Sequence, residues 1–164
     1  PVTHILGIDP GLSGGWAVLD DTAHLIDCGV FPTVQAKGKT RLDGETMAYK
    51  LGAYRFGAKA YVEAVASRPR QQGQFQFGVN TGIVHGILYA HGVPFQLIAP
   101  ASWKAQYGIK RGEDETKRDK KNEARQMAIS LYPAHADKFS RVKDDGVAEA
   151  VLIALYGLYL HSTT

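Results

Sequence analysis

Three of the sixteen carboxylates in this chain interrupt apolar segments, where burying a charged side chain carries a large free-energy penalty. Asp9 ends the apolar run that begins at residue 5, Glu63 stands inside the run 61–65, and Glu149 lies within the run 147–153. An isolated buried carboxylate is usually neutralised, paired or bound to a metal. The chain must therefore fold so that each of these side chains meets a proton, a cation or a partner.

Each acid also has a simpler interpretation. Asp9 precedes a Pro-Gly pair and could begin a turn, a position that aspartate favours. Glu63 could pair with a neighbouring lysine or arginine, and Asp144 or Asp145 could cap the last helix. A capping box at Asp145 would need a glutamate three residues later, where the sequence has Ala148. That motif therefore does not explain Glu149.

Helix geometry favours one further acid as a neighbour of Glu149. At ~100° per residue, Asp145 and Glu149 lie about 40° apart on one face, whereas Asp144 lies about 140° away. A divalent cation would reverse the repulsion between two such carboxylates. Four carboxylates from two strands and a helix suit two hard cations ~3.5–4 Å apart, the arrangement used for in-line phosphodiester hydrolysis. The four acids are Asp9, Glu63, Asp145 and Glu149.

The order of predicted elements indicates a single α/β domain over residues 1–164, with a mixed sheet of five strands flanked by helices. Residues 32–40 form a polar loop in this prediction, and residues 67–76 form an exposed loop. The predicted strands cover 4–9, 16–20, 25–31, 60–65 and 94–99. The predicted helices cover 43–56, 77–91, 102–107, 116–132 and 144–161.

Composition narrows the class of protein. Hydrophobic residues make up 45% of the chain and charged residues 21%, which is typical of a soluble globular domain. The net charge of +3 permits a polyanionic partner. No apolar stretch reaches eighteen residues and the first residues do not resemble a signal peptide, so we expect no membrane association. A single cysteine, Cys28, excludes an internal disulfide framework and is expected to be a packing residue.

The acids lie in motifs that resemble those of the RuvC-type Holliday junction resolvases. The run Gly7-Ile8-Asp9-Pro10-Gly11, followed by Ser13-Gly14-Gly15, resembles the first motif of that family. Glu63 stands where the family keeps its second acid. The stretches 101–104 and 121–125 also resemble one branch of the family, so the resemblance extends over nearly the whole chain.

The end of the chain is closest to the branch that contains plant chloroplast resolvases and phage or bacterial RuvC-like proteins. In that branch an aspartate and a glutamate four residues apart complete the site, as Asp145 and Glu149 would here. The bacterial enzyme spaces its last two acids three apart. Gly146 occupies the position which that spacing would require, so we assign the role to Asp145.

The resemblance implies an RNase H-like fold and an endonuclease that resolves four-way DNA junctions by paired nicks. It further implies a homodimer and Mg²⁺, replaceable by Mn²⁺, with two ions held by the four acids in each active site. A lysine near the scissile phosphate matches Lys121 best, with Lys117 as a neighbour. The expected location is the cytoplasm or nucleoid of a bacterial or phage-infected cell, or an organelle if a targeting segment has been removed.

Residues on several segments are candidates for DNA contact. The segment after Glu63 combines basic, amide and aromatic side chains, which suits phosphate contact and a ring that stacks on or wedges between bases. Phe75 is the wedge candidate, and we expect Phe77 to pack in the core. Glycines at 78, 82 and 86 would let another backbone approach, either that of a second copy or that of the sheet. The predicted DNA contacts are Arg68, Arg70, Gln72, Phe75, Lys104, Lys117, Lys37 and Lys39.

Other functions fit the sequence less well. The same fold could serve a nuclease of RNA/DNA hybrids or a nickase of branched DNA. The first motif also resembles a phosphate loop of the sugar kinase and actin superfamily, but those proteins need a second domain to close over ATP. A non-catalytic junction-binding module would gain nothing from a negative pocket.

Overall fold

The computed structural model of this chain contains a five-stranded sheet with helices on both faces. It describes residues 1–64, 73–109 and 117–164, without the side chains of residues 117–121. The strands are β1 (His4–Asp9), β2 (Gly15–Asp20), β3 (Leu25–Val30), β4 (Thr33–Ala36), β5 (Lys39–Leu42), β6 (Ala58–Glu63) and β7 (Phe95–Ile98). The helices are α1 (Gly44–Gly52), α2 (Gln74–Ala90), α3 (Pro100–Gln106), α4 (Lys117–Leu131) and α5 (Asp145–Ser162), with 3₁₀ turns at Pro133–Lys138 and Val142–Asp144.

The large sheet has the order β3-β2-β1-β6-β7, which confirms the predicted mixed sheet of five strands. β1 lies at the centre, antiparallel to β2 and parallel to β6, and β6 is parallel to β7. Because β1 and β6 run in the same direction, their carboxyl ends meet at one edge of the sheet. Asp9 and Glu63 are the last residues of these two strands.

Alternation along β1 and β6 divides the side chains between two apolar layers. Leu6 and Ile8 pack with α1 and α2 on one face, whereas Ile5 packs with α5 on the other. Tyr61 also belongs to the α5 layer. With a side-chain period of two, Asp9 and Glu63 lie on the face that α5 covers.

α5 approaches the sheet closely because glycines stand at the contact points. A Cβ atom on Gly7 would overlap the Ala150 carbonyl oxygen and would lie 2.5 Å from the Ala154 nitrogen. A Cβ on Gly15 would lie 2.6 Å from the Val147 nitrogen. Gly14 and Gly146 form an isolated parallel bridge between the β1–β2 turn and the start of α5.

The predicted polar loop over residues 32–40 is wrong, because β4 and β5 form a hairpin there. The turn residues Lys37 and Gly38 both have positive φ angles, 50° and 74°, as a two-residue hairpin turn of the type I′ class requires. Most side chains of the hairpin are exposed, so its strands lack the apolar alternation by which a strand is recognised. None of the helices in the described ranges is long and apolar enough to cross a membrane.

We predict that Gly7→Ala lowers the free energy of unfolding by about 3 kcal/mol or more, since overpacking against backbone atoms cannot be relieved by a rotamer change. Urea unfolding followed by circular dichroism measures the effect. Gly11→Ala is the matched control, because a Cβ there would lie 3.7 Å from the Gly14 nitrogen, at an ordinary contact distance. Equal stability of the two variants would contradict the close approach of α5.

Candidate metal centre

Three carboxylates converge at the carboxyl edge of β1 and β6. Asp9 and Glu63 come from the ends of the two strands, and Glu149 comes from the second turn of α5. One oxygen of each side chain lies within 4.8 Å of the corresponding oxygens of the other two. Glu63 is buried, and Asp9 and Glu149 are half-buried.

The electrostatics of the cluster favour a proton or a cation. Burial raises the pKa of Asp9 well above its usual value, and the charge and hydrogen bond of Glu149 raise it further. Burial likewise raises the pKa of Glu63, against the lowering effect of a hydrogen bond from Trp103. Closely spaced carboxylate oxygens are the donors that hard divalent cations such as Mg²⁺ and Mn²⁺ prefer. The cluster could therefore hold a metal ion.

Asp145 lines the same pocket as Asp9 and Glu149 but is engaged differently. Its Oδ1 atom lies 2.8 Å from Nε of Arg125, and both side chains are buried. The Arg125 guanidinium also donates to the Ser140 carbonyl oxygen at 3.2 Å and to Oδ1 of Asn122. Asp145 is thus a neighbour of the three converging carboxylates, with its charge paired to a cation of the protein.

The adjacent acid, Asp144, belongs to a separate structural contact. It is 1% exposed, and its carboxylate accepts hydrogen bonds from the backbone and guanidinium nitrogens of Arg141. Burial by itself would raise the pKa of Asp144, but the hydrogen bonds and charge of Arg141 hold it below its usual value. Asp144 therefore anchors the turn that leads into α5.

Two neighbouring residues of α3 reach the cluster. The buried Trp103 donates a hydrogen bond from Nε1 to Oε2 of Glu63, 2.7 Å away. The charge of Lys104 lowers the pKa of both Asp9 and Glu63, against the larger effect of burial. Sequence reasoning included Lys104 only as a DNA contact and missed Trp103. The available signal was that a buried tryptophan N–H usually has an acceptor.

The remaining predicted contacts are spread over several elements. Arg68, Arg70 and Gln72 lie outside the described residues, as do the side chains of Lys117 and Lys121. Phe75 is 85% exposed in the first turn of α2. Phe77, which we expected in the core, is half-buried. Lys37 lies in the turn of the hairpin, and Lys39 begins β5.

Cys28 in β3 is half-buried. Burial raises the pKa of its thiol to about 11, with the charges of Asp27 and Asp137 adding to the increase and that of Lys138 opposing it. A thiol with so high a pKa is almost entirely protonated at neutral pH and is a poor nucleophile. These properties agree with the packing role expected for it.

Comparison with solved structures identifies the fold. Thermus thermophilus RuvC in complex with a Holliday junction substrate matches with a TM-score of 0.64 at 19% identity, over 98% of this chain and 96% of that chain. The chain has the RNase H-like fold of RuvC. A second Thermus thermophilus RuvC structure matches with a TM-score of 0.54 at 19% identity, over 98% of this chain and 97% of that one. No protein-family model and no curated protein sequence matches the chain.

We predict that the metal-free protein loses thermal stability as the pH rises above about 5, and that Mn²⁺ restores more stability at higher pH. The folded-state pKa values of Asp9 and Glu63 are raised, so their contribution to stability is complete below the unfolded values and is lost as pH rises through the folded values. The lowered pKa of Asp20, about 2, acts in the opposite direction but at lower pH.

Melting temperatures between about pH 5 and pH 8, in EDTA and in Mn²⁺, measure this effect. Asp9→Asn is the informative variant, because it removes one charge from the cluster and should flatten the pH dependence in EDTA. A Mn²⁺-induced stabilisation that does not grow with pH would contradict a site made of these carboxylates.

Proposed function

We propose that this chain is a divalent-metal-dependent endonuclease that resolves four-way DNA junctions. The observation that carries the proposal is the convergence of Asp9, Glu63 and Glu149 at one edge of a RuvC-like sheet. One of the RuvC structures with this fold contains a Holliday junction substrate. Carboxylates grouped in this way suit the hydrolysis of a phosphodiester far better than the simple binding of phosphate, which they would repel.

The proposed ligands of Mg²⁺ or Mn²⁺ are Asp9, Glu63 and Glu149, with Asp145 as the fourth acid and two ions in each site. Divalent ions bound there would polarise the phosphodiester and make a bound water nucleophilic at neutral pH. Arg125 pairs with one oxygen of Asp145 and so reduces the net negative charge of the four acids. The remaining charge is still negative enough to attract cations.

Among the described residues, Lys104 is a lysine whose charge affects two of the three clustered acids. Its charge lowers the pKa of both Asp9 and Glu63. A phosphate bound beside those acids would therefore also interact with its ammonium group. A fixed positive charge there can stabilise negative charge that develops on the phosphate. Lys121, with Lys117 beside it, remains the lysine proposed from the family resemblance.

The hairpin of β4 and β5 carries basic side chains and starts from the edge of the sheet where Asp9 lies. Asp9 pairs with Gly15 and Gly15 pairs with Val30, so β3 ends at the edge of the sheet where Asp9 lies. The hairpin begins just after β3 and closes through a 2.8 Å hydrogen bond from the Asp43 nitrogen to the Pro32 oxygen. Residues 29–42 contain three basic side chains and no acid, which suits contact with phosphates. These side chains are Lys37, Lys39 and Arg41.

The segment that follows β6 starts at the same edge of the sheet. It contains the proposed contacts Arg68, Arg70 and Gln72, and it leads to Phe75 at the start of α2. An aromatic ring that is 85% exposed at this edge supports the proposal that Phe75 stacks on or wedges between bases of the junction.

We also propose that the working unit is a homodimer joined in part through α2. Apart from the neighbouring residues and backbone of α2 itself, no described atom lies within 4 Å of a Cβ built on any of its glycines at 78, 82 and 86. Close packing on the sheet therefore does not account for these glycines within the described residues, which supports their assignment to contact with a second copy. A junction with two strands to cut is matched most simply by a two-fold pair of active sites.

The family branch and the location of the protein belong to the same proposal. The four-residue spacing of Asp145 and Glu149 supports the branch of plant chloroplast resolvases and phage or bacterial RuvC-like proteins. The proposed location is the cytoplasm or nucleoid of a bacterial or phage-infected cell, with an organelle as the alternative.

We predict that Asp9→Asn lowers Mg²⁺-dependent cleavage of a synthetic four-way junction by more than about 100-fold, because even changes around metal ligands lower activity 10–100-fold. Junction affinity should stay equal or rise, since a negative charge near the phosphate is lost. Asp144→Asn is the matched control, because it alters a buried acid of the same region that Arg141 engages. Cleavage by the wild type in EDTA would refute the metal-dependent reaction.

The same assay tests the paired cut. On a junction extruded from a supercoiled plasmid, a dimer should release linear DNA by two nicks in one complex, and sedimentation at micromolar protein should show the dimer. A monomer that releases singly nicked plasmid would instead indicate a structure-selective nickase with this fold.

A second prediction concerns the hairpin. Replacing Lys39 and Arg41 together with glutamine should lower junction affinity and reduce the slope of log affinity against log salt by about 1.8, or ~0.9 for each lost phosphate contact. The control replaces Arg55 and Lys59 with glutamine, which removes the same charge near the opposite edge of the sheet, where β1 and β6 begin. Titrations at several salt concentrations give both slopes. Equal slopes for the two double variants would exclude the hairpin as a phosphate contact.

A further inference from the structure

The two tryptophans of this chain are both buried, but their indole N–H groups are in different situations. Trp103 is 0% exposed and donates to Glu63 Oε2 over 2.7 Å. Trp16 is 2% exposed, and its Nε1 has no hydrogen-bond partner among the described residues. Both rings fill apolar layers of the fold, so packing alone does not explain the contact of Trp103 with an acid.

Trp103 is held rigidly relative to Glu63. Its ring packs in the α5 layer with Ile98, Ile109 and Leu152 among its neighbours. Glu63 pairs with Ile98 across β6 and β7, and α3 begins two residues after Ile98, with Pro100 in its first turn. Donor and acceptor are therefore attached to two hydrogen-bonded strands through short connections. Such a contact retains its geometry when a ligand binds beside it.

The chemistry of the indole group suits the orientation of a metal-binding carboxylate. The last torsion of a glutamate side chain is broad, so without a partner the carboxylate would rotate through many orientations. A hydrogen bond to Oε2 restricts that rotation and leaves the other oxygen of Glu63 for a cation. The indole N–H is a neutral donor that cannot accept a hydrogen bond. It therefore stabilises the ionised carboxylate without adding a positive charge that would repel a cation, as a lysine or arginine would.

We propose that Trp103 is a positioning residue of the metal centre, which orients Glu63 through its indole N–H so that one carboxylate oxygen is presented to a divalent cation. This inference rests on the proposed metal site but does not require that the substrate be a DNA junction. Donors around a metal ligand typically change metal affinity or activity by 10–100-fold when they are removed.

The variant Trp103→Phe removes the N–H and retains most of the apolar ring. We expect it to weaken Mn²⁺ binding to the DNA-free protein by about 10-fold or more, as measured by calorimetry at fixed pH. With junction as substrate, kcat should fall while KM for the junction stays unchanged. Trp16→Phe is the matched control, because it removes a similar volume from a buried site but breaks no hydrogen bond. It should leave Mn²⁺ affinity unchanged.

The indole N–H signals of the wild-type protein provide a second measurement. Two such proton resonances are expected in an NMR spectrum, one for each tryptophan, and Trp16→Phe assigns them. Titration with Mg²⁺ should move the Trp103 signal with the midpoint of metal binding and leave the Trp16 signal in place. This measurement does not depend on whether Trp103→Phe folds.

The outcomes separate the two proposals. Equal Mn²⁺ affinities for Trp103→Phe and Trp16→Phe, or a Trp103 signal that does not respond to Mg²⁺, would overturn the positioning role. Wild-type protein that binds Mn²⁺ but leaves four-way junctions uncut would refute the proposed function, and the Trp103 inference would stand. Wild-type protein that binds no divalent cation would refute both.

Discussion

The close approach of α5 to the centre of the sheet is the contact on which the candidate site depends. Glycines at positions 7, 15 and 146 allow the helix backbone to lie against β1 and β2 with no side chain between them. This contact sets the distance at which Glu149 meets Asp9, and a single added methyl group would push the helix outward. The positions of the acids thus depend on glycines, which have no side chains. The same contact between α5 and the sheet determines both the stability of the fold and the geometry of the site.

Three like charges in a partly buried cluster would destabilise the fold if they remained ionised and unpaired. The acids of this region have different partners. Trp103 gives Glu63 a neutral donor, Arg125 gives Asp145 a positive charge, and Asp9 with Glu149 is left to share a proton or bind a cation. A cation of the protein at every acid would leave no site for a metal. The arrangement therefore retains a negative pocket, whose unfavourable electrostatics a divalent ion can relieve.

The hairpin of β4 and β5 has the opposite charge to the acidic cluster. Asp9, the end of β3 and the base of the hairpin share one edge of the sheet, so the basic hairpin starts from the edge that carries the acids. In the proposed function, this separation would let a polyanion bind through its backbone while one phosphate approaches the acids. The open glycine face of α2 lies on the opposite side of the sheet from α5, where a second copy would not obstruct the pocket.

The sequence by itself determined the mixed sheet of five strands and the grouping of Asp9, Glu63 and Glu149. The order of the predicted elements indicates the sheet, and a carboxylate inside an apolar run indicates a buried acid that needs a partner. Only the tertiary structure decided that Trp103 bonds to Glu63 across 40 residues, that Arg125 pairs with Asp145, and that residues 33–42 form a hairpin. A sequence pattern indicates that a polar atom is buried but not which partner it contacts. An exposed hairpin has no buried face, so its strands lack the alternation by which a strand is predicted. Partner choice depends on distances that the packed layers alone establish.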